Sequence, residues 1–138
     1  NVQDYAFSGC SNLTEISIPN SVTSIGDSAF YGCSSLTNIT LPDGLTSISR
    51  SLFEFCRSLE SVIIPNGVKS IGADAFASCI SLTTIEIPDS VIEIGSSAFK
   101  NNQIKFDSTK KKALHTSSVF LSHLDIRFFY DRLTSYKK

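Results

Sequence analysis

The chain has no tryptophan, no methionine and only two histidines in 138 residues. No apolar run approaches the roughly 20 residues that a helical membrane span requires, so no membrane insertion is expected of this segment. Twelve basic residues stand against thirteen acidic ones. That balance gives no general attraction to nucleic acid or to anionic lipid. No basic-then-apolar leader opens the sequence. Dinucleotide, phosphate-loop and EF-hand spacings are missing. Ser and Thr are plentiful, but Phe, Ile, Leu and Val recur too regularly for a disordered chain.

That regularity is an internal repeat. The units are LTEISIPNSVTSIGDSAFYGCSS (13–35), LTNITLPDGLTSISRSLFEFCRS (36–58), LESVIIPNGVKSIGADAFASCIS (59–81) and LTTIEIPDSVIEIGSSAFKNN (82–102). The period is 23 without insertions, in the pattern LxxIxIPxxVxxIGxxAFxxCxx. The opening VQDYAFSGC matches IGDSAFYGC, so the chain begins inside a repeat and is expected to belong to a longer array.

Each half of the unit has a mechanical reading. The alternation in LxxIxIP predicts a short strand with one face buried. Pro19, Pro42, Pro65 and Pro88 end it, because proline has no ladder N–H. NS, DG, NG and DS supply a turn. VxxIG is a second extended piece, whose glycine is expected at positive φ. AFxxC is too short for an independent helix and reads as one helical or 3-10 turn. A single unit cannot bury its own apolar face, so stability must come from stacking rungs into a solenoid.

The residues IPNSVTSIGDSAFYGCSSL, IPNGVKSIGADAFASCISL and IPDSVIEIGSSAF resemble the BspA-like branch of the leucine-rich repeats. The resemblance implies an α/β solenoid: a right-handed curved superhelix, a parallel sheet on its concave side, and short strands and turns on its convex side. It also implies a surface-exposed or secreted protein that adheres to host proteins or other cells. The array covers residues 1–106. Residues 107–138 lose the repeat and read as a terminal cap or tail, or as a linker to another domain. Within them VFLSHL suits a helix and LDIRFFY a strand, and the KKK run at 110–112 reads as a solvated turn.

Four cysteines in identical slots, Cys10, Cys33, Cys56 and Cys79, fall on a line with a spacing of roughly 5 Å. Zinc needs thiolates converging on one point, and parallel Cβ atoms that far apart do not suit a disulfide. Free buried thiols are therefore expected, with no metal or cofactor. Asn102 takes the fifth slot. In the wider leucine-rich repeats this position donates to backbone carbonyls of neighbouring loops, so the five residues read as a structural ladder.

Nucleophilic catalysis needs a base beside a nucleophile. His115 and His123 lie in the tail with no motif around any serine. Glu15 and Glu86 are three rungs apart, too far for a glycosidase pair. The chain is read as non-enzymatic, with an enzyme based on the tail as the remote alternative. Asn12-Leu-Thr14 and Asn38-Ile-Thr40 are acceptor sequons, which arise easily in a Ser/Thr-rich chain. Ile92 is read as lying on the outer side.

Alternation turns the slots between the buried strand residues toward the concave surface. These are Glu15, Ser17, Asn38, Thr40, Ser61, Ile63, Thr84 and Glu86, the candidate protein-binding face. The function expected is a protein-binding or adhesion module whose partner is an extracellular host or cell-surface protein. The alternative is a spacer that projects another domain.

Overall fold

A computed structural model describes residues 1–104. Six short strands form two parallel sheets. β1 (Glu15–Ser17), β2 (Asn38–Thr40) and β4 (Ser61–Val62) make the first. β3 (Ser47–Ile48), β5 (Ser70–Ile71) and β6 (Glu93–Ile94) make the second. The register steps by one repeat: Ile16 faces Ile39 and Ile39 faces Val62 in the first sheet. Ile48, Ile71 and Ile94 align in the second, and a Val2–Ile25 bridge carries that line backward.

The apolar slots of the repeat form the core. Phe30, Phe53 and Phe76 are fully buried, with Leu36, Leu59 and Leu82 in the next column and Ile25, Ile48 and Ile71 in another. Five phenylalanines stack along the array. Ring centroids lie 5.2 Å apart for Phe7–Phe30, 5.8 Å for Phe30–Phe53, 5.4 Å for Phe53–Phe76 and 5.3 Å for Phe76–Phe99. The rungs thus share one continuous core rather than four small ones.

Three expectations need correction. The fourth LxxIxIP segment, residues 82–88, is not a strand, although Leu82 is buried. Ile85 and Ile87 there are only half-buried, whereas Ile39, Leu41, Val62 and Ile64 in the middle rungs are covered on both sides.

AFxxC is not helical, and no helix occurs among the described residues. It is a run of tandem turns. Ala29 N–H donates to Gly26 O, Tyr31 N–H to Ser28 O and Cys33 N–H to Phe30 O. The intervening N–H groups reach the next rung: Ser28 to Arg50 O, Phe30 to Leu52 O and Gly32 to Glu54 O. Two positive-φ positions per rung break helical continuity. One column is Tyr5, Ser28, Ser51, Asp74 and Ser97, and the other is Gly9, Gly32, Phe55, Ser78 and Asn101.

The glycine of VxxIG has a different purpose from the one expected, because Gly26, Gly72 and Gly95 do not take positive φ. Their N–H groups donate to Val2 O, Ile48 O and Ile71 O at 2.7–2.8 Å, which draws the rungs together. A Cβ on Gly72 would stand 2.6 Å from Arg50 N, and one on Gly95 2.3 Å from Ala73 N. The requirement is close backbone approach. Ser49 fills the same slot in the second unit, and there the hydroxyl donates to Ile25 O. Gly72→Ala should therefore lower stability by about 1–3 kcal/mol, the usual range for overpacking. Gly72→Ser should cost less, since its hydroxyl can do what that of Ser49 does. Paired denaturant titrations check the order; an alanine variant as stable as wild type would refute close approach.

Candidate protein-binding surface

The first sheet presents a row of side chains that its own hydrogen bonding leaves free. Glu15 faces Asn38, Asn38 faces Ser61, and Ser17 faces Thr40. All five are exposed, and so is Ile63, which follows the paired Val62 and is 84% exposed. An isoleucine left so open on a sheet face is the main apolar contact the row offers. Thr84 and Glu86 are also exposed but lie outside the paired strands, so the ordered part of the row is three rungs wide. Glu15 and Glu86 are not brought together by any strand pair. Both sequon asparagines, Asn12 and Asn38, are exposed, and Asn38 sits within β2. Ile92 is exposed beside β6.

The cysteine column lies inside. Cys33 Sγ donates to Phe7 O at 3.1 Å, Cys56 to Phe30 O at 3.1 Å and Cys79 to Phe53 O at 3.0 Å. Each thiol thus ties one rung to the phenylalanine carbonyl of the rung before. Burial raises the Cys33 pKa to about 11, with a further push from Cys10. Burial likewise raises Cys79 to about 12, partly offset by a hydrogen bond from the Cys56 backbone, and raises Cys56 further still. Thiols held this firmly neutral are poor nucleophiles and poor metal ligands.

Two members of the column depart from the expectation. Cys10 is exposed, unlike Cys33, Cys56 and Cys79. Asn102 is buried, but its Nδ2 donates to Phe99 O of its own rung instead of reaching the preceding one, while its Oδ1 accepts from Ile104 N–H at 3.0 Å. Asparagine has both a donor and an acceptor, so it closes its own turn at both ends, which a thiol does only weakly.

No metal-binding group of His, Cys, Asp or Glu occurs among the described residues, and no helix there is long and apolar enough to cross a membrane. His115, His123, the KKK run and the expected cap lie outside the described residues.

The tandem turns carry a cluster that the repeat pattern does not predict. Tyr31 meets Phe55 edge-on at 5.5 Å, and the Arg57 guanidinium lies 5.5 Å from the same ring. Its signal was a phenylalanine in a column that elsewhere holds Gly9, Gly32, Ser78 and Asn101.

Stacked parallel strands, one phenylalanine column and a 23-residue period define a leucine-rich-repeat solenoid. The chain belongs to the BspA type leucine rich repeat region, which matches residues 1–123 in six copies. It is similar in structure to the leucine rich repeat protein TpLRR of T. pallidum: TM-score 0.72 and 44% identity, over 75% of this chain and 49% of that one. A leucine rich cell surface protein of Faecalibacterium prausnitzii A2-165 also has a TM-score of 0.72, with 36% identity over 85% of this chain and 32% of that one. The pneumococcal vaccine antigen PcpA shares the fold at 23% identity and a TM-score of 0.65, over 70% of this chain and 24% of that one. The chain therefore spans about half the length of the first of these proteins and a third of the second. No curated protein matches it.

Proposed function

We propose that this chain is a non-enzymatic, protein-binding part of a longer surface or secreted protein, and that it engages an extracellular protein through the row on β1, β2 and β4. The observation that carries this reading is Ile63, open on the sheet face between small polar neighbours. Sheet faces of curved solenoids are extended binding surfaces in general, and the similarity to a bacterial cell surface protein supports the location.

The row lacks the Trp, Tyr and Arg that dominate strong interfaces. Each rung then contributes little, and affinity accumulates over a longer array. Ile63→Lys combined with Thr40→Lys should reduce binding at least tenfold, measured against a panel of purified extracellular matrix and cell-surface proteins. The denaturation midpoint should stay put, because both side chains are exposed. Binding that survives the double substitution would instead favour a spacer that carries another domain.

A further inference from the structure

Phe55 stands where a phenylalanine is disfavoured. Its φ is +62°, in a column whose other members are Gly9, Gly32, Ser78 and Asn101. Bulky residues are outliers in the left-handed region, and such strain persists only where the surroundings or the function hold it. The core does not account for this ring. Phe55 is only half-buried, and the stacked column runs through Phe53 instead.

The ring organises its neighbours. Tyr31, from the previous rung, packs edge-on against it and remains 36% exposed. Arg57 stacks above it. Ile80 occupies the Arg57 slot one rung on and is 48% exposed. A guanidinium laid on a ring keeps its N–H edge free for a planar, bidentate carboxylate. Among the described residues no ion pair engages Arg57. Tyrosine and arginine are also the residues enriched at binding hot spots, and the sheet row has neither.

We propose that Tyr31, Phe55, Arg57 and Ile80 form a second protein-docking surface, on the tandem turns, for a partner segment that presents a carboxylate beside an apolar side chain. The carboxylate meets Arg57, and the apolar group lies against Phe55, Tyr31 and Ile80. The surface carries a single guanidinium, which suits one carboxylate better than the repeated charges of a sulfated polymer.

Phe55→Asn separates binding from stability, since Asn101 already adopts the same backbone conformation two rungs on in the same column. The probe is a displayed library of random twelve-residue peptides, selected on the wild-type chain and counter-selected on Phe55→Asn. Enrichment of Asp or Glu within three residues of Phe, Trp, Leu or Ile is expected. The selected peptides should lose at least tenfold in affinity with Arg57→Gln and with Tyr31→Ala, and none with Thr40→Lys. The denaturation midpoint of Phe55→Asn should equal or exceed that of wild type. A lowered midpoint would mean that Phe55 serves folding and would overturn the proposal. So would a library without acidic–apolar enrichment, or self-association in sedimentation that Phe55→Asn abolishes, which would assign the surface to a second copy.

Discussion

Phe53→Ala should lower stability by about 3–5 kcal/mol, as deletion of a fully buried ring does where the site cannot collapse. Phe53 is fully buried and stacks on Phe30 at 5.8 Å and on Phe76 at 5.4 Å. Its truncation would leave an apolar void between two rings and interrupt the column midway. The backbone around it is also committed: Phe53 N–H donates to Ala75 O, and Phe53 O accepts the Cys79 thiol. The walls of the void therefore have little freedom to close. Phe7 is only half-buried and, among the described residues, stacks on Phe30 alone, so Phe7→Ala should cost less than half as much. Guanidinium titrations followed by far-UV circular dichroism test this, since the chain has no tryptophan to report unfolding. A loss below about 1 kcal/mol at Phe53 would remove the phenylalanine column from its place as the continuous core.

What the sequence reveals here is whatever the period alone determines. Residues 23 apart must stack when units are identical in length, so the Phe, Leu, Ile and Cys columns follow from spacing. The free faces of β1, β2 and β4 follow from alternation, and the structure finds the named residues of those strands exposed. Distances between rungs are not encoded in the period. This is why the VxxIG glycine reads as a φ requirement when Gly72 and Gly95 instead make room for the backbone of the preceding rung. Local dihedrals are equally hidden when the residue is not glycine. Ser28, Ser51, Asp74 and Ser97 all sit at positive φ, and nothing about serine or aspartate just before AFxxC separates tandem turns from a helical turn. Neighbour effects are hidden for a third reason. Cys10 and Asn102 share a slot with three buried thiols, yet Cys10 is exposed and Asn102 bonds within its own turn. The Tyr31–Phe55–Arg57 cluster depends on contacts across rungs between residues in three different slots, which alignment of the units pulls apart.

Stability should fall steeply between about pH 9 and pH 12, and the buried thiols should cause it. A thiol ordinarily near 9.0 is held to about 11 at Cys33 and about 12 at Cys79, with Cys56 higher again, in each case chiefly because burial strips the thiolate of water. Below pH 9 all three are protonated in both the folded and the unfolded chain, so they add no pH dependence. Above it the unfolded chain releases protons that the folded chain retains. The folded state then binds more protons, and its stability drops as pH rises. Each such thiol contributes a slope approaching about 1.4 kcal/mol per pH unit, until its own folded-state pKa is reached. Together the three approach about 4 kcal/mol per unit, enough to unfold a domain of ordinary stability. Lysine and tyrosine titrate in the same range, so the measurement is a difference. Cys56→Ala should start from a lower stability at pH 8 because of the space it leaves, yet decline about one-third less steeply above pH 9.5. Thiol labelling at pH 8 gives the matching kinetic result: Cys10 should react at once, and Cys33, Cys56 and Cys79 only as the chain opens. An alkaline limb equally steep in Cys56→Ala, or prompt labelling of the three inner thiols, would show that the column is wet. The carbonyl–thiol bonds could not then be what joins one rung to the next.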